Sequence, residues 1–355
     1  MKIININLKN NAHSIYMGQN ISNDLSSIIK TDKYDKIFIL TQQSILDIYI
    51  NHPLFDLGFK NIIIDESESA KKLKNIDLII NQLIEKKCTR NSLIIGFGGG
   101  VTTDITGFIA SVYMRGIDHI LVPTTLLGMV DAAIGGKTGV NTNSGKNLIG
   151  TFKQPIAIIV DIIFLHSLNK KHIINGFAEV VKYGLIFDRN MFTNVRDNFN
   201  ELVKLNNSQE LEKTIYQCCI LKKNIIVKDE FDYNDRMLLN FGHTIGHALE
   251  SYYQYKNMMH GEAIYYGMIS ASYISWKLDF LSKDDYNNIY NFINTIPKTK
   301  LINANTETLK NHLMFDKKRK GNKNNFILLN DIGSAMIKNN ISESIIDQSL
   351  KLLIN

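Results

Sequence analysis

The residues of this chain best suited to chemistry lie at Arg236, Asn240, His243, His247 and Glu250. Their steps of four, three, four and three put all five on one face of an α-helix. The positions between them, Met237, Leu238, Leu239, Phe241, Ile245, Ala248 and Leu249, are apolar. A surface helix shows the reverse, a narrow apolar face and a broad polar one. The polar stripe is therefore expected to be buried, and buried polar groups need partners. A metal ion and a charged ligand would supply them. His243 and His247 stand at i, i+4, a spacing that lets two imidazoles reach one ion. The H-E-x-x-H protease signature is absent, because Thr244 occupies the glutamate position. His260, in His260-Gly-Glu262, offers a third imidazole beyond a break near Tyr255-Lys-Asn257. Glu179-Val-Val-Lys182 sets a carboxylate and an amine on one helical face at i, i+3. Two histidines and a carboxylate with an open position form a common catalytic zinc arrangement.

A second group of residues suits anions. Gly96-Phe-Gly-Gly-Gly-Val-Thr-Thr-Asp104 reads as a strand end that opens a helix. Its glycines let backbone N–H groups approach a diphosphate at the helix N-terminus. The dinucleotide fingerprint G-x-G-x-x-G fails at Val101, and the P-loop pattern ahead of Gly136-Lys-Thr138 fails at Asp131. The loop thus signals phosphate binding without fixing the ligand, and a tight strand-to-helix turn is the alternative. Downstream, Asp131-Ala-Ala-Ile-Gly-Gly-Lys-Thr-Gly-Val-Asn141 and Ser144-Gly-Lys-Asn147 hold Lys137, Lys146 and Asn147 with no acid after Asp131. A solvated loop mixes both signs of charge, so this one reads as an oxyanion loop.

The elements that must position these groups change texture along the chain. Short apolar runs at 36–41, 61–65, 92–96, 119–122 and 156–161 read as buried, mostly parallel strands. Helical patterns at 69–87 and 101–112 alternate with them. Met1 to Asn10 alternates like a further strand. After about residue 165 helical patterns dominate, at 170–187, 190–205, 209–229, 234–254, 260–280 and 284–295. A strand pair is expected near 326–329 and 335–337, and a closing helix near 342–353. The patterns predict an α/β domain with a mostly parallel sheet, residues 1–165, plus a mainly helical domain, residues 166–355; that the first binds a nucleotide and the second metal and substrate is implied by resemblance to a known family.

Composition narrows the class further. The 355 residues are 45% hydrophobic and 21% charged, an ordinary globular balance that argues against a disordered or fibrous chain. No run of eighteen apolar residues predicts a membrane span, and the N-terminus lacks a signal-peptide core. The three cysteines, Cys88, Cys218 and Cys219, lack metal spacing and suit a reducing cytoplasm. A formal charge of +6 suits an anionic small molecule. The basic run Asp316-Lys-Lys-Arg-Lys320 stands without an aromatic stacking stripe, so no nucleic-acid partner is expected.

Taken in order, these segments resemble the 3-dehydroquinate synthase family within the sugar-phosphate cyclases. The resemblance runs through Gly98 to Phe108, Tyr113-Met-Arg-Gly116, Pro123-Thr-Thr-Leu-Leu127, Gly135 to Asn141 and Gly145 to Gly150. It continues through Phe177-Ala-Glu-Val-Val-Lys-Tyr-Gly184, Asn240 to Glu250, His260-Gly-Glu-Ala263, Asp316-Lys-Lys318 and Ile332-Gly333. It implies zinc, or cobalt in its place, held by Glu179, His243 and His260, with His247 on substrate and not on the metal. It implies NAD against Glu68, Lys71, Gly98, Gly99, Gly100, Val101, Asp104, Thr124 and Thr125, with Lys137, Lys146 and Ser167 also on the cofactor side. Lys182, His247, Asp131 and Arg115 would be catalytic, Arg115 from the neighbouring subunit of a homodimer. Substrate anions would meet Lys137, Lys146, Asn147, Lys222, Arg236, Asn240 and one of Lys317 and Lys318. Ser67, Ser167 and Asp232 depart from the family pattern, which bears on cofactor details more than on the reaction.

The implied reaction turns 3-deoxy-D-arabino-heptulosonate 7-phosphate, an anionic sugar phosphate, into 3-dehydroquinate and phosphate. Transient oxidation by NAD, phosphate elimination, reduction and ring closure follow one another, with no net redox change. The rival readings are another cyclase of the group, such as an inosose synthase, and a metal-dependent polyol dehydrogenase.

Overall fold

The computed structural model describes residues 1–142, 145–301, 304–317 and 325–354. Two compact units emerge, Met1–Asn169 with Ile215–Phe231, and Lys170–Thr214 with Asp232–Asn355. Residues 166–169 and 215–231, expected in the helical domain, cluster with the first unit. The reason is local. Helix Ser208–Lys228 carries Lys222 and Cys219, whose side chains bond Asp131 and the Met129 carbonyl within the first unit.

Among the described residues the first unit is built on nine strands: β1 (Lys2–Asn7), β2 (Ala12–Gly18), β3 (Ile37–Gln42), β4 (Lys60–Ile64), β5 (Leu93–Gly98), β6 (Asp118–Pro123), β7 (Val140–Thr142), β8 (Gly145–Ile149) and β9 (Ala157–Asp161). Seven of them form one sheet in the order β1-β2-β9-β6-β5-β3-β4. All neighbours pair in parallel except β1 with β2. The β3 and β5 runs are apolar and buried along nearly their whole length, because helices cover both faces of a parallel sheet. Helix Gly100–Val112 follows β5 directly and buries Ile105 and Ile109 against Phe38, Leu40 and Ile94. Two features were not read from sequence. Ala12–Gly18 is a strand, and the 137–149 stretch contains the antiparallel β7–β8 pair.

In the second unit, helices Lys170–Phe187, Arg189–Val203, His243–Tyr252 and His260–Lys277 surround the candidate site. Helix His260–Lys277 is buried on nearly all sides, with Ala263, Ile264, Tyr265 and Met268 fully enclosed. Asp188 caps Arg189–Val203 through the Met191 N–H, and Ser282 caps Lys283–Thr295 through the Asp285 N–H. The expected strand pair is present as Asn325–Asp331 with Ser334–Asn339. Among the described residues no helix is long and apolar enough to cross a membrane.

The helix expected over 234–254 is broken. Asp235–Asn240 is a 3-10 helix, and His243–Tyr252 is a separate α-helix. Gly242 between them takes φ +77, a left-handed conformation that only glycine adopts cheaply. Packing forces the break there. A Cβ on Gly267 would lie 1.8 Å from the Gly242 carbonyl oxygen, so the two backbones touch. Arg236 and Asn240 therefore do not share a helix face with His243, His247 and Glu250.

Candidate metal and active site

Helix Lys170–Phe187 delivers Glu179 and Lys182 into the interior of the second unit, at 0% and 1% exposure. The Glu179 carboxylate pairs with the Lys182 ammonium through Oε2. Its Oε1 faces His260 Nε2 at 3.2 Å and His243 Nε2 at 3.6 Å. The ligand atoms of Glu179, His243 and His260 all lie within 4.8 Å of one another. Zinc ligands at about 2.0–2.2 Å in tetrahedral geometry stand roughly 3.4 Å apart. The two separations from Glu179 Oε1 match that spacing, so the group could hold such a cation.

Partners of the other ring nitrogens prepare both imidazoles. His243 Nδ1 lies 3.1 Å from the Phe241 carbonyl, to which it donates, leaving the Nε2 lone pair for a cation. Burial, aided by the Lys182 charge, pushes the His243 pKa down to about 3, so this ring is neutral. His260 Nδ1 lies 3.5 Å from Glu250 Oε1. Burial alone would lower its pKa, but hydrogen bonds and charges from Glu179 and Glu250 outweigh burial and raise it to about 10. A ring placed between two carboxylates in this way holds a positive charge, which a divalent cation at Nε2 would replace.

His247 stands apart from this group. Its ring centroid is as near to that of His243, at 5.2 Å, as that of His260 is, at 5.4 Å, but it lies 6.5 Å from the His260 ring. The donor atoms that cluster are those of Glu179, His243 and His260, so the imidazole that joins His243 in that cluster comes from a different helix. Arg236 is 2% exposed in the 3-10 helix that Asn240 ends. Glu250, noted in the sequence only as part of the polar stripe, emerges as the support of His260. Lys318 lies outside the described residues, as does the side chain of Lys317.

The first unit holds the glycine loop. Gly98 ends β5 and Gly100 begins the following helix, whose first turn has no acid. The unpaired N–H groups of that turn can face an anion. The Thr124 N–H donates to the Gly98 carbonyl at 3.0 Å, which ties the two loops together, and Thr125 Oγ1 accepts the Gly128 N–H at 3.1 Å within the second loop. Beside them Lys71, 2% exposed, donates to Asp104 at 2.6 Å and to Asn147 Oδ1 at 2.5 Å. Burial raises the Asp104 pKa, and Lys71 opposes that rise. Glu68 Oε1 accepts from Asn141 at 2.8 Å. Asn147, expected among the substrate contacts, thus sits with the residues expected on the cofactor.

Lys222 donates to the Asp131 carbonyl at 2.5 Å and its carboxylate at 2.6 Å. Lys137 is exposed, beside Phe152 in an isolated bridge, and Lys146 lies on β8. Val101 follows Gly100 in the first helical turn. Ser167 ends the 3-10 helix Ile162–Ser167 and accepts from the Tyr49 hydroxyl at 2.6 Å. Arg115 is exposed, with φ 64, in the turn after the Gly100–Val112 helix.

Comparison with known proteins decides the family. The 3-dehydroquinate synthase N-terminal model matches residues 61–175, and the C-terminal model matches 176–319. A 3-dehydroquinate synthase of Buchnera aphidicola is 36% identical over 353 residues, covering 98% of this chain and 99% of the relative. One of Dictyoglomus thermophilum is 38% identical over 357 residues, covering 99% and 98%. The chain belongs to the 3-dehydroquinate synthase family. It is an enzyme of that activity, as the full-length relatives indicate. The solved 2-deoxy-scyllo-inosose synthase, complexed with carbaglucose-6-phosphate, NAD+ and Co2+, shares the fold of this family member at TM-score 0.89 and 24% identity, over 99% of this chain and 100% of that one. So does 2-epi-5-epi-valiolone synthase from Streptomyces hygroscopicus, with NAD+ and Zn2+ bound, at TM-score 0.87 and 23% identity, over 98% of each chain.

Proposed function

We propose that the enzyme converts 3-deoxy-D-arabino-heptulosonate 7-phosphate to 3-dehydroquinate and phosphate, with a divalent cation on Glu179, His243 and His260 and NAD on the glycine loop. The observation that carries this reading is the buried Glu179, whose two oxygens face two imidazoles and the Lys182 ammonium at once. The cation acidifies a substrate hydroxyl and NAD takes and returns a hydride, chemistry the side chains cannot supply.

The residues do the rest. Lys182, held on Glu179, presents a positive charge where a substrate hydroxyl loses its proton. His247, beside the ligand group but outside it, hydrogen-bonds substrate. Lys137, Lys146, Lys222, Arg236 and Asn240, with one of Lys317 and Lys318, hold the phosphate and carboxylate ends in register. Lys222 holds Asp131 oriented. Glu68, Lys71, Asp104, Thr124 and Thr125 line the cofactor side, where the Lys71 network stands ready to exchange a bond for ligand. Asn147 serves that network as much as the substrate. Ser167, bonded to Tyr49, belongs to the same side.

Arg115 acts from a neighbouring copy in a homodimer. Its support is the exposed turn it occupies, beside exposed Val112 and Met114. The three free cysteines are all buried, which suits a cytoplasmic enzyme. Light scattering of the purified protein tests the dimer.

Phosphate release from the heptulosonate phosphate tests the reaction. It should require NAD, stop with a chelator and resume on adding zinc or cobalt. Turnover of a phosphosugar without a carboxylate, and none of the keto-acid, would replace this reading by that of an inosose synthase, whose fold the chain shares. Stoichiometric accumulation of NADH would instead mark a polyol dehydrogenase.

A further inference from the structure

The metal donors come from three places in the chain, and two of them, Glu179 and His260, lie on separate helices. Something must set the gap between those helices. Asn175 lies one turn before Glu179 on the same face of Lys170–Phe187, about 6 Å along the axis. Its Oδ1 accepts the Gly261 N–H at 2.6 Å, and the side chain is buried at 8% exposure. Gly261 is the residue after His260. Its N–H lies in the first turn of helix His260–Lys277, where no intrahelical acceptor exists. A Cβ on Gly261 would fall 2.1 Å from the Asn175 carbonyl oxygen, so the two backbones are in contact there. One turn farther along, the buried Tyr265 hydroxyl donates to the Ile174 carbonyl at 3.1 Å.

Glu262 acts in the same turn but toward different neighbours. Its Oε2 accepts the Met259 N–H at 2.8 Å, and its Oε1 accepts the Thr299 N–H and hydroxyl at 3.0 Å each. That carboxylate caps the helix and ties down the 299 segment. It makes no bond to the helix of Glu179 among the described residues. Asn175 is the group that joins the first turn of His260–Lys277 to the helix bearing Glu179.

We propose that Asn175 is a positioning residue for the metal centre: its bond to the Gly261 N–H sets the separation of Glu179 and His260. The bond sits close to the donors and acts on the backbone, not on either ligand side chain. Loss of the acceptor leaves a buried N–H unsatisfied, and the local response is for the two helices to part or slide. A few tenths of an ångström there pass directly to the 3.2 Å Oε1–Nε2 separation, because the same backbone carries both.

This inference rests on the ligand assignment of Glu179, His243 and His260, and the experiment separates the two. Zinc affinity of the full-length protein is measured by competition with a chelator, and the visible absorption of the Co2+-loaded protein reports the ligand field. Asn175→Leu, close in volume but without an acceptor, should weaken zinc ten- to a hundredfold, the range for residues that orient ligands, and shift the Co2+ bands. Asn175→Asp, which keeps the acceptor oxygen, should bind zinc at least as tightly as the parent. Asn175→Ser, gentler should the leucine variant not fold, should weaken zinc severalfold. Ser282→Ala, which removes a remote helix cap, should lower the melting temperature without touching affinity or spectrum. If the leucine and serine variants melt early yet keep parental affinity and Co2+ bands, Asn175 is structural only and the proposal fails. If His260→Ala retains full zinc occupancy, the ligand assignment itself is wrong.

Discussion

Glu250 offers a sharp test of how the site is held. It is 6% exposed, its Oε1 lies 3.5 Å from His260 Nδ1, and it touches no proposed ligand atom. A full charge pair at that separation is worth about 5 kcal/mol at an effective dielectric of about 20. A metal-bound imidazole is neutral and presents only its N–H dipole, so roughly a third of that, about 1.5 kcal/mol, is the contribution expected here. This corresponds to about tenfold in zinc affinity. Because Glu250 also favours the proton that His260 carries in the metal-free protein, zinc is titrated at several pH values and affinity is referred to the deprotonated ring; on that scale Glu250→Gln, which keeps the shape and one acceptor oxygen but removes the charge, should weaken zinc by about tenfold. Glu250→Ala removes the acceptor too and should approach a hundredfold. The assay is zinc titration of the metal-free protein against a fluorescent chelator, with thermal melts confirming that each variant folds. Affinity within twofold of the parent in both variants would show that Glu250 does not support His260, and the carboxylate-to-imidazole reasoning would be refuted.

Three further outcomes are expected. Lys182→Ala should lower phosphate release by orders of magnitude while zinc content, read by atomic absorption, falls little; equal loss of both would make the lysine structural. Gly267→Ala forces a Cβ to within 1.8 Å of the Gly242 carbonyl, a backbone contact that cannot yield cheaply, so it should destabilise by about 3 kcal/mol or more in urea unfolding; a parental midpoint would contradict the close approach. His13 and His119 are buried in the first unit with no hydrogen-bond partner for either ring among the described residues, and burial lowers their pKa values to about 4 and about 3. Both rings are neutral when folded and gain a proton only on unfolding, so their contribution is complete above the ordinary histidine pKa near 6.5 and is lost as pH falls toward 4 and 3. Between about pH 7.5 and 5.5 the parent should lose roughly 2–3 kcal/mol relative to His13→Leu/His119→Leu, and parallel urea-midpoint curves for the two proteins would refute it.

What could be read from the sequence follows a physical line. The parallel strands were legible because each is a run of apolar residues buried on both faces, a signal contained within itself. The helices of the second unit showed for the same reason, with caps and apolar spacing inside each segment. Ala12–Gly18 escaped because its burial alternates, but one inward position is the polar His13, which hides the alternation in the hydropathy. The break at Gly242 escaped because its cause lies about twenty-five residues away at Gly267, where two backbones meet. Periodicity describes one segment at a time and cannot see such a contact.

The same limit explains the metal site. The i, i+4 spacing of His243 and His247 pointed to two ligands on one helix, whereas the clustered donors come from three helices, His243 and His260 each at a helix start. Only the resemblance, which carries the outcome of packing, pointed to the three residues whose donor atoms cluster. The buried stripe did contain the support: Glu250, spaced three from His247, is the group that holds His260 from behind. The stripe is therefore a layered arrangement in which the first histidine joins the donor cluster with Glu179 and His260, and the carboxylate braces an imidazole from another helix. Such layering makes a general demand on the fold. Each helix that brings a donor must be fixed to its neighbour near that donor, by a bond or contact that engages the neighbour's backbone. At the Glu179 helix that bond is Asn175 to Gly261, and at the His243 helix start it is the Gly242–Gly267 contact.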